Sequence, residues 1–173
     1  MTARVLGLDP GSRVVGYAIL DSTERGRFAY KECGIFRTTQ GSPVEARLLE
    51  IASELRELIR EHSPSVAAVE DVFQHKNARS ALVLGQARGA ALLVLAESGI
   101  AVTSYPPATV KRTVCGNGRA SKEQVQRMVT ALSGLRRPPS VDASDALALA
   151  ICYCLHAGGA QARSLPDAKG ALR

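Results

Sequence analysis

Three observations in the sequence predict an α/β layer fold. Three strand-like runs come first, helical and strand-like stretches then alternate, and an almost wholly apolar helical segment closes the order. A hydrophobic content of 46% over 173 residues, with no internal repeat and no linker, indicates one globular domain with a sizeable core.

Residues 5–20 hold two apolar runs around Pro10-Gly11-Ser12-Arg13, which predicts a β-hairpin with a loop of several residues. Residues 27–38 follow Gly26 with a strand-like mixture of apolar and aromatic side chains, completing a three-stranded antiparallel meander. Ser42-Pro43-Val44-Glu45 then reads as a helix start: a Ser N-cap, Pro at the first helical position and Glu at the third, a capping box. Leu48, Ile51, Leu55, Leu58 and Ile59 supply that helix with one apolar face, and it ends near residues 62–64. Residues 66–69 are a short continuous apolar run, the pattern of a strand buried on both faces, and Glu70 closes it.

A polar loop over 71–77 leads to a long helix over 77–98, with Asn77 as its cap and Gly99 beyond its end. Gly85, Gly89 and several alanines give this helix a small-residue face that suits packing on a sheet or contact with a second copy of the chain. Residues 101–105 form a further strand, stopped by Pro106-Pro107. A short helical piece over 108–114 carries Lys111 and Arg112, and Ser121-Lys122-Glu123-Gln124 opens another helix with a second capping box. The last helix begins around Ser140. From Gly158 onward the chain is small, polar and basic, so the reading is a domain over 1–157 and a mobile tail over 158–173. The expected sheet is mixed and five-stranded, three antiparallel strands followed by parallel ones, flanked by helices.

A net charge of +6 favours a polyanionic partner. The longest uncharged apolar run, residues 146–155, falls well short of the ~20 needed to cross a bilayer. The N-terminus lacks a signal-peptide pattern, so a cytoplasmic location and no membrane association are expected. Cys33, Cys115, Cys152 and Cys154 have neither zinc-knuckle nor Cys-x-x-Cys spacing, and the three histidines share no ligand spacing. Free, mostly buried thiols are expected and a zinc site is not. Gly116-Asn117-Gly118 is no phosphate loop, because the Lys-Ser/Thr of a Walker sequence is absent.

Asp9 ends the first strand directly after Leu6-Gly7-Leu8, where an ionised carboxylate lies beside a core and is costly without a cation. Alone, an Asp before Pro-Gly is a common turn opener. Glu70 repeats the arrangement, and ligands of open α/β sheets gather at the C-terminal ends of strands. Asp142 and Asp145, three residues apart, share one face near the start of the last helix, where capping would account for one of them. If the two strands are neighbours and that helix packs beside them, four carboxylates converge. Their mutual repulsion calls for divalent metal, and an all-oxygen set suits Mg2+ or Mn2+. A pair of such ions ~4 Å apart is the arrangement used for phosphodiester hydrolysis. Phe73 either anchors its loop to the core or stacks on bases, and Lys76 and Arg79 beside it lean toward nucleic acid. Lys122 in a first helical turn opposes the helix dipole and so suggests an anionic neighbour.

Leu8-Asp9-Pro10-Gly11-Ser12-Arg13 with Gly16-Tyr17, Val69-Glu70-Asp71-Val72-Phe73 with Lys76-Asn77, and Leu84-Gly85-Gln86-Ala87-Arg88-Gly89 are followed by Val110-Lys111 and Asp142-Ala143-Ser144-Asp145-Ala146-Leu147-Ala148. Together, in this order, they resemble the bacterial crossover junction endodeoxyribonuclease RuvC family, over residues 5–151. The resemblance implies an RNase H-like fold and a homodimer that makes paired symmetric nicks in four-way DNA junctions during recombination and repair, in a Mg2+-dependent reaction. By motif position it implies Asp9, Glu70, Asp142 and Asp145 as ligands of two metal ions, Phe73 as the aromatic that engages junction bases, and Lys111 and Lys122 as the basic residues near the scissile phosphate. It also implies cooperation with the RuvA and RuvB branch-migration proteins. The competing readings are a YqgF-type nuclease acting on structured RNA, and a junction-binding module without catalysis. An actin-like ATPase would need a second related domain, for which 173 residues leave no room.

Overall fold

The computed structural model describes residues 3–23, 26–71 and 78–163. Its elements are β1 (Ala3–Pro10), β2 (Val14–Ser22), β3 (Phe28–Arg37), α1 (Val44–His62), β4 (Val66–Glu70), α2 (Ala78–Glu97), β5 (Ala101–Tyr105), α3 (Pro107–Cys115), α4 (Lys122–Leu132) and α5 (Val141–Arg163). The strands form one five-stranded sheet in the order β3-β2-β1-β4-β5. β1 runs antiparallel to β2 and parallel to β4, β3 is antiparallel to β2, and β5 is parallel to β4. The mixed sheet expected from the sequence is the one observed.

Strand periodicity divides the core into two layers. Val5, Ala18, Leu20, Val66 and Ala68 pack beneath α3, α4 and α5. Leu6, Leu8, Val15, Ile19, Ala67 and Val69 pack beneath α1 and α2. Side chains at alternate positions share a face, so Asp9 continues the series begun by Val5 and Gly7, and Glu70 that of Val66 and Ala68. Both carboxylates therefore belong to the α5 face. The last registered pair of β1 and β4 is Leu8 with Val69, which leaves Asp9 and Glu70 one step further along two adjacent parallel strands.

Two glycines let α5 lie directly on these strands. A Cβ at Gly7 would overlap the carbonyl oxygen of Ala146, and one at Gly16 that of Asp142. Gly16 is also the cross-strand partner of Asp9. The first turns of α5 are thus held against the ends of β1 and β2 by backbone contact, as glycines within strands often permit.

Two local expectations change. The Ser42 capping box does not form: Pro43, extended at φ −62° and ψ 162°, occupies the N-cap of α1 with no side-chain hydrogen bond. The Ser42 N–H instead donates to the Thr39 carbonyl at 3.3 Å, tying it to the preceding turn. The last helix continues to Arg163, past the expected boundary at 157, while residues 164–173 lie outside those described. Helix α2 has the length and mean hydropathy, 1.3, of a membrane span by composition alone. It lies on the sheet, burying Ala87, Ala91, Val94 and Leu95, and carries Arg88 at its middle.

Candidate active site

Each acidic side chain reaches its place for a local reason. Asp9 is the penultimate residue of β1, set just before Gly11 turns the chain, with the Gly11 N–H donating to the Asp9 carbonyl at 3.1 Å. Glu70 ends β4, and its backbone carbonyl accepts from Arg88 Nε at 3.1 Å. The same guanidinium donates through Nη2 to Ser104 Oγ at 3.0 Å and stands 3.8 Å from Asp71. Arg88 therefore clamps the ends of β4 and β5 from the opposite face of the sheet. At the start of α5, Ser140 performs the capping: its Oγ accepts from the Ala143 N–H at 3.4 Å, and its carbonyl accepts from the Ser144 hydroxyl at 2.8 Å. Capping is thus supplied without Asp142 or Asp145.

The four carboxylates form one electrostatic neighbourhood. Asp9 is pushed up to about 7, first by burial and then by the charges of Glu70, Asp145 and Asp142, with Lys122 opposing. This is the convergence expected from the sequence. Lys122 is the cation within it: its Nζ donates to Asp145 Oδ2 at 3.0 Å, and that hydrogen bond is the main reason its own pKa is raised. It is held there by the second capping box, which forms as expected, with Ser121 Oγ accepting from the Gln124 N–H at 3.3 Å and Gln124 Oε1 accepting from the Ser121 N–H at 2.8 Å. The anionic neighbour inferred for Lys122 is Asp145.

Among the described residues, no three Asp, Glu, His or Cys side chains are already drawn into a ligand set for one ion. The donor chemistry nonetheless fits divalent metal: a partly buried carboxylate with three carboxylate neighbours, and a lysine, Lys122, that is itself engaged with Asp145.

The other candidates are dispersed. Lys111 lies on α3, where its charge acts on the Cys115 thiol, which burial pushes up. Arg79 is exposed in the first turn of α2. Phe73, Lys76 and the expected cap Asn77 lie outside the described residues. Sequence reasoning assigned no role to Gly7, Gly16 or Arg88. The available signals were glycines interrupting apolar strands and a lone charge inside an apolar helix.

The model of the crossover junction endodeoxyribonuclease RuvC family matches residues 5–153. The chain belongs to this family. The RuvC of Halorhodospira halophila is 47% identical over 153 residues, covering 88% of this chain and 90% of that protein. The RuvC of Pseudomonas paraeruginosa is 46% identical over 149 residues, covering 86% and 84%. Among solved structures, Thermus thermophilus RuvC in complex with a Holliday junction substrate superposes with a TM-score of 0.85 at 29% identity, covering 91% of this chain and 96% of that one. The RuvC fold, an RNase H-like mixed sheet flanked by helices, is the fold of this chain, and membership in a family of endodeoxyribonucleases makes it a nuclease.

Proposed function

We propose that the chain is a Holliday junction resolvase that nicks four-way DNA junctions symmetrically by divalent-metal-dependent phosphodiester hydrolysis, with Asp9, Glu70, Asp142 and Asp145 as its metal ligands. The observation that carries the reading is the crowding of Asp9 by three carboxylates at the strand ends, in a chain of otherwise positive balance. Mg2+, or Mn2+ in its place, when bound as a pair would supply an activated water and neutralise the leaving oxygen.

The protein's own residues supply the rest. Asp9, central to the group, would hold the metal together with Glu70 from β4 and the two α5 aspartates. Lys122, 62% exposed at its side chain, presents its charge toward solvent beside Asp145 and offsets negative charge developing on the phosphate. Lys111 and Arg79, with Lys76 by sequence, are the candidates to hold the polyanion around this acidic centre. Phe73 is the candidate to stack on a junction base.

A homodimer would let two such sites cut opposing strands. Helix α2 supports it: Leu82 and Leu93 are 63% and 58% exposed, and a Cβ at Gly85 or Gly89 would meet nothing within 4 Å, leaving an outward apolar face open to a second copy. Cooperation with RuvA and RuvB, in the bacterial cytoplasm, belongs to the same reading.

The test is strand cleavage of an end-labelled four-way junction beside linear duplex and structured RNA, with Mg2+, Mn2+ or chelator. Paired nicks confined to the junction and abolished by chelator are expected. Cleavage of RNA alone would select the YqgF-type alternative. Junction binding without cutting in either metal would leave a binding module.

A further inference from the structure

A polar pocket opens at the same end of the sheet as Asp9, on its β3 side. It measures about 410 Å³ and is lined by Arg13, Arg37, Arg47, Thr39, Gly41 and Ser42, among others. Its position follows from topology. The C-terminal end of β1, the start of β2 and the end of β3 coincide, because Pro10 pairs with Val15 and Val14 with Arg37. The loop carrying Arg13 is the one that leaves Asp9.

This pocket is built rather than incidental. Arg47 reaches from α1 to donate through Nη1 to the Ser12 carbonyl at 3.2 Å, and the Thr38 N–H donates to the Arg13 carbonyl at 3.0 Å, so both walls are fixed to the hairpin tip. The Nε of Arg47 is buried and has no hydrogen-bond partner among the described residues, an expensive condition for a charged donor. Arg13 and Arg37 are exposed at the rim. The acidic group nearby, Glu50, is committed to the Thr39 N–H at 2.6 Å. Three guanidiniums against one engaged carboxylate, with a buried donor lacking an acceptor, describe a site for an oxyanion that guanidinium recognises well.

We propose that Arg13, Arg37 and Arg47 form a subsite for a backbone phosphate of the DNA, at the same end of the sheet as the cleavage centre. The proposal rests on the nuclease reading above. Two strand spacings, about 10 Å, separate β3 from β1. That separation places the bound phosphate within a few nucleotides of the one cut. The subsite carries no base information: it sets the register in which the scissile phosphate meets the carboxylates.

The experiment measures binding of a labelled four-way junction in chelator, over a range of salt, for the wild type, for Arg13→Ala/Arg37→Ala, and for Arg56→Ala/Arg60→Ala. The last pair removes the same charge from the far end of α1, where Arg56 pairs with Glu97. Arg13→Ala/Arg37→Ala is expected to flatten the slope of log K against log salt by about 1, the loss of one phosphate contact, while the control pair leaves it unchanged. Junctions with a single neutral methylphosphonate, moved along the strand, should bind the wild type less well when the substitution lies a few nucleotides from the cut, and the double variant should lose most of that penalty. Equal slopes for the two double variants, or a methylphosphonate penalty that persists in Arg13→Ala/Arg37→Ala, would overturn the subsite while leaving the nuclease reading standing. A wild-type protein that does not bind the junction would overturn both.

Discussion

The two ends of strand β1 carry opposite solutions to the same electrostatic problem. At the N-terminal end, Asp21 is the cross-strand partner of Arg4, whose Nε donates to it at 2.8 Å, and Lys31 lies 3.2 Å from its other oxygen. The Arg4 hydrogen bond, opposed by partial burial and aided by Lys31, lowers the Asp21 pKa. Arg4 also donates to the His62 carbonyl at 3.0 Å, closing the end of α1 onto the sheet. At the C-terminal end the partner of Asp9 is a glycine, its neighbours are carboxylates, and its pKa rises to about 7. One aspartate is matched within the chain, as structural charges are. The other is buried among carboxylates, and a perturbed carboxylate at a strand end is where function is expected.

The sharpest way to break this contrast is to remove the charge at each end. Asp9→Asn should reduce junction cleavage in Mg2+ by more than the roughly hundredfold typical of residues that merely support a metal ligand. Binding in chelator should remain near the wild-type level, since Asn keeps the shape and only the charge is lost. A proportionate fall in binding and cleavage would instead assign Asp9 to the fold.

The stability of the metal-free protein should expose the same difference. Below about pH 4 Asp9 holds its proton both folded and unfolded, so the folded state carries no penalty. Between about 4 and 7 the unfolded chain has released a proton that the folded chain retains, so stability falls as pH rises, and above about 7 the loss is complete. For a shift from 3.8 to about 7 this amounts to on the order of 4 kcal/mol. Urea unfolding in chelator should therefore show Asp9→Asn gaining on the wild type from pH 4 to pH 7 and holding its lead above. A difference independent of pH would mean the carboxylates do not crowd one another.

How this arrangement was legible in the sequence depends on the range of the interactions involved. Asp9 and Glu70 could be read because strand ends and their turns are local, and the box at Ser121 because all its partners lie within four residues. The bounds of β5 were legible for the same reason, with Pro106 ending it. Ser42 misled because the same short pattern had a rival partner, the Thr39 turn, that outcompeted capping. Gly7, Gly16 and Arg88 had no local signature of their task. The glycines matter only once α5, more than a hundred residues away, lies on them, and Arg88 only once β4 and β5 end beside it.

Gly16 tests that docking directly. In Gly16→Ala the new methyl meets the Asp142 carbonyl, backbone that cannot swing aside, so α5 must lift. A cost of about 1–3 kcal/mol in stability is expected. Asp142 and Asp145 would move with the helix, and a displacement of about 1 Å can cost about a hundredfold in rate. Cleavage should therefore fall further than the thermal destabilisation explains when both are measured well below the melting temperature. Retained cleavage in a destabilised protein would show that α5 need not be so closely seated.

The smallest effect belongs to the matched end. Asp21→Asn weakens a partly exposed pair whose side chains are 38% and 24% accessible, so solvent already screens much of the attraction. A fall in melting temperature of about 2 °C is expected. Its folded pKa is depressed, so what the carboxylate contributes is present above about pH 4 and disappears as pH falls through the depressed value, the reverse of Asp9. Junction cleavage should be unchanged, because Asp21 lies at the opposite end of the sheet and touches none of the four acidic residues. If Asp21→Asn instead slowed cleavage while leaving the melting temperature alone, the division of the sheet into a structural end and a chemical end would fail.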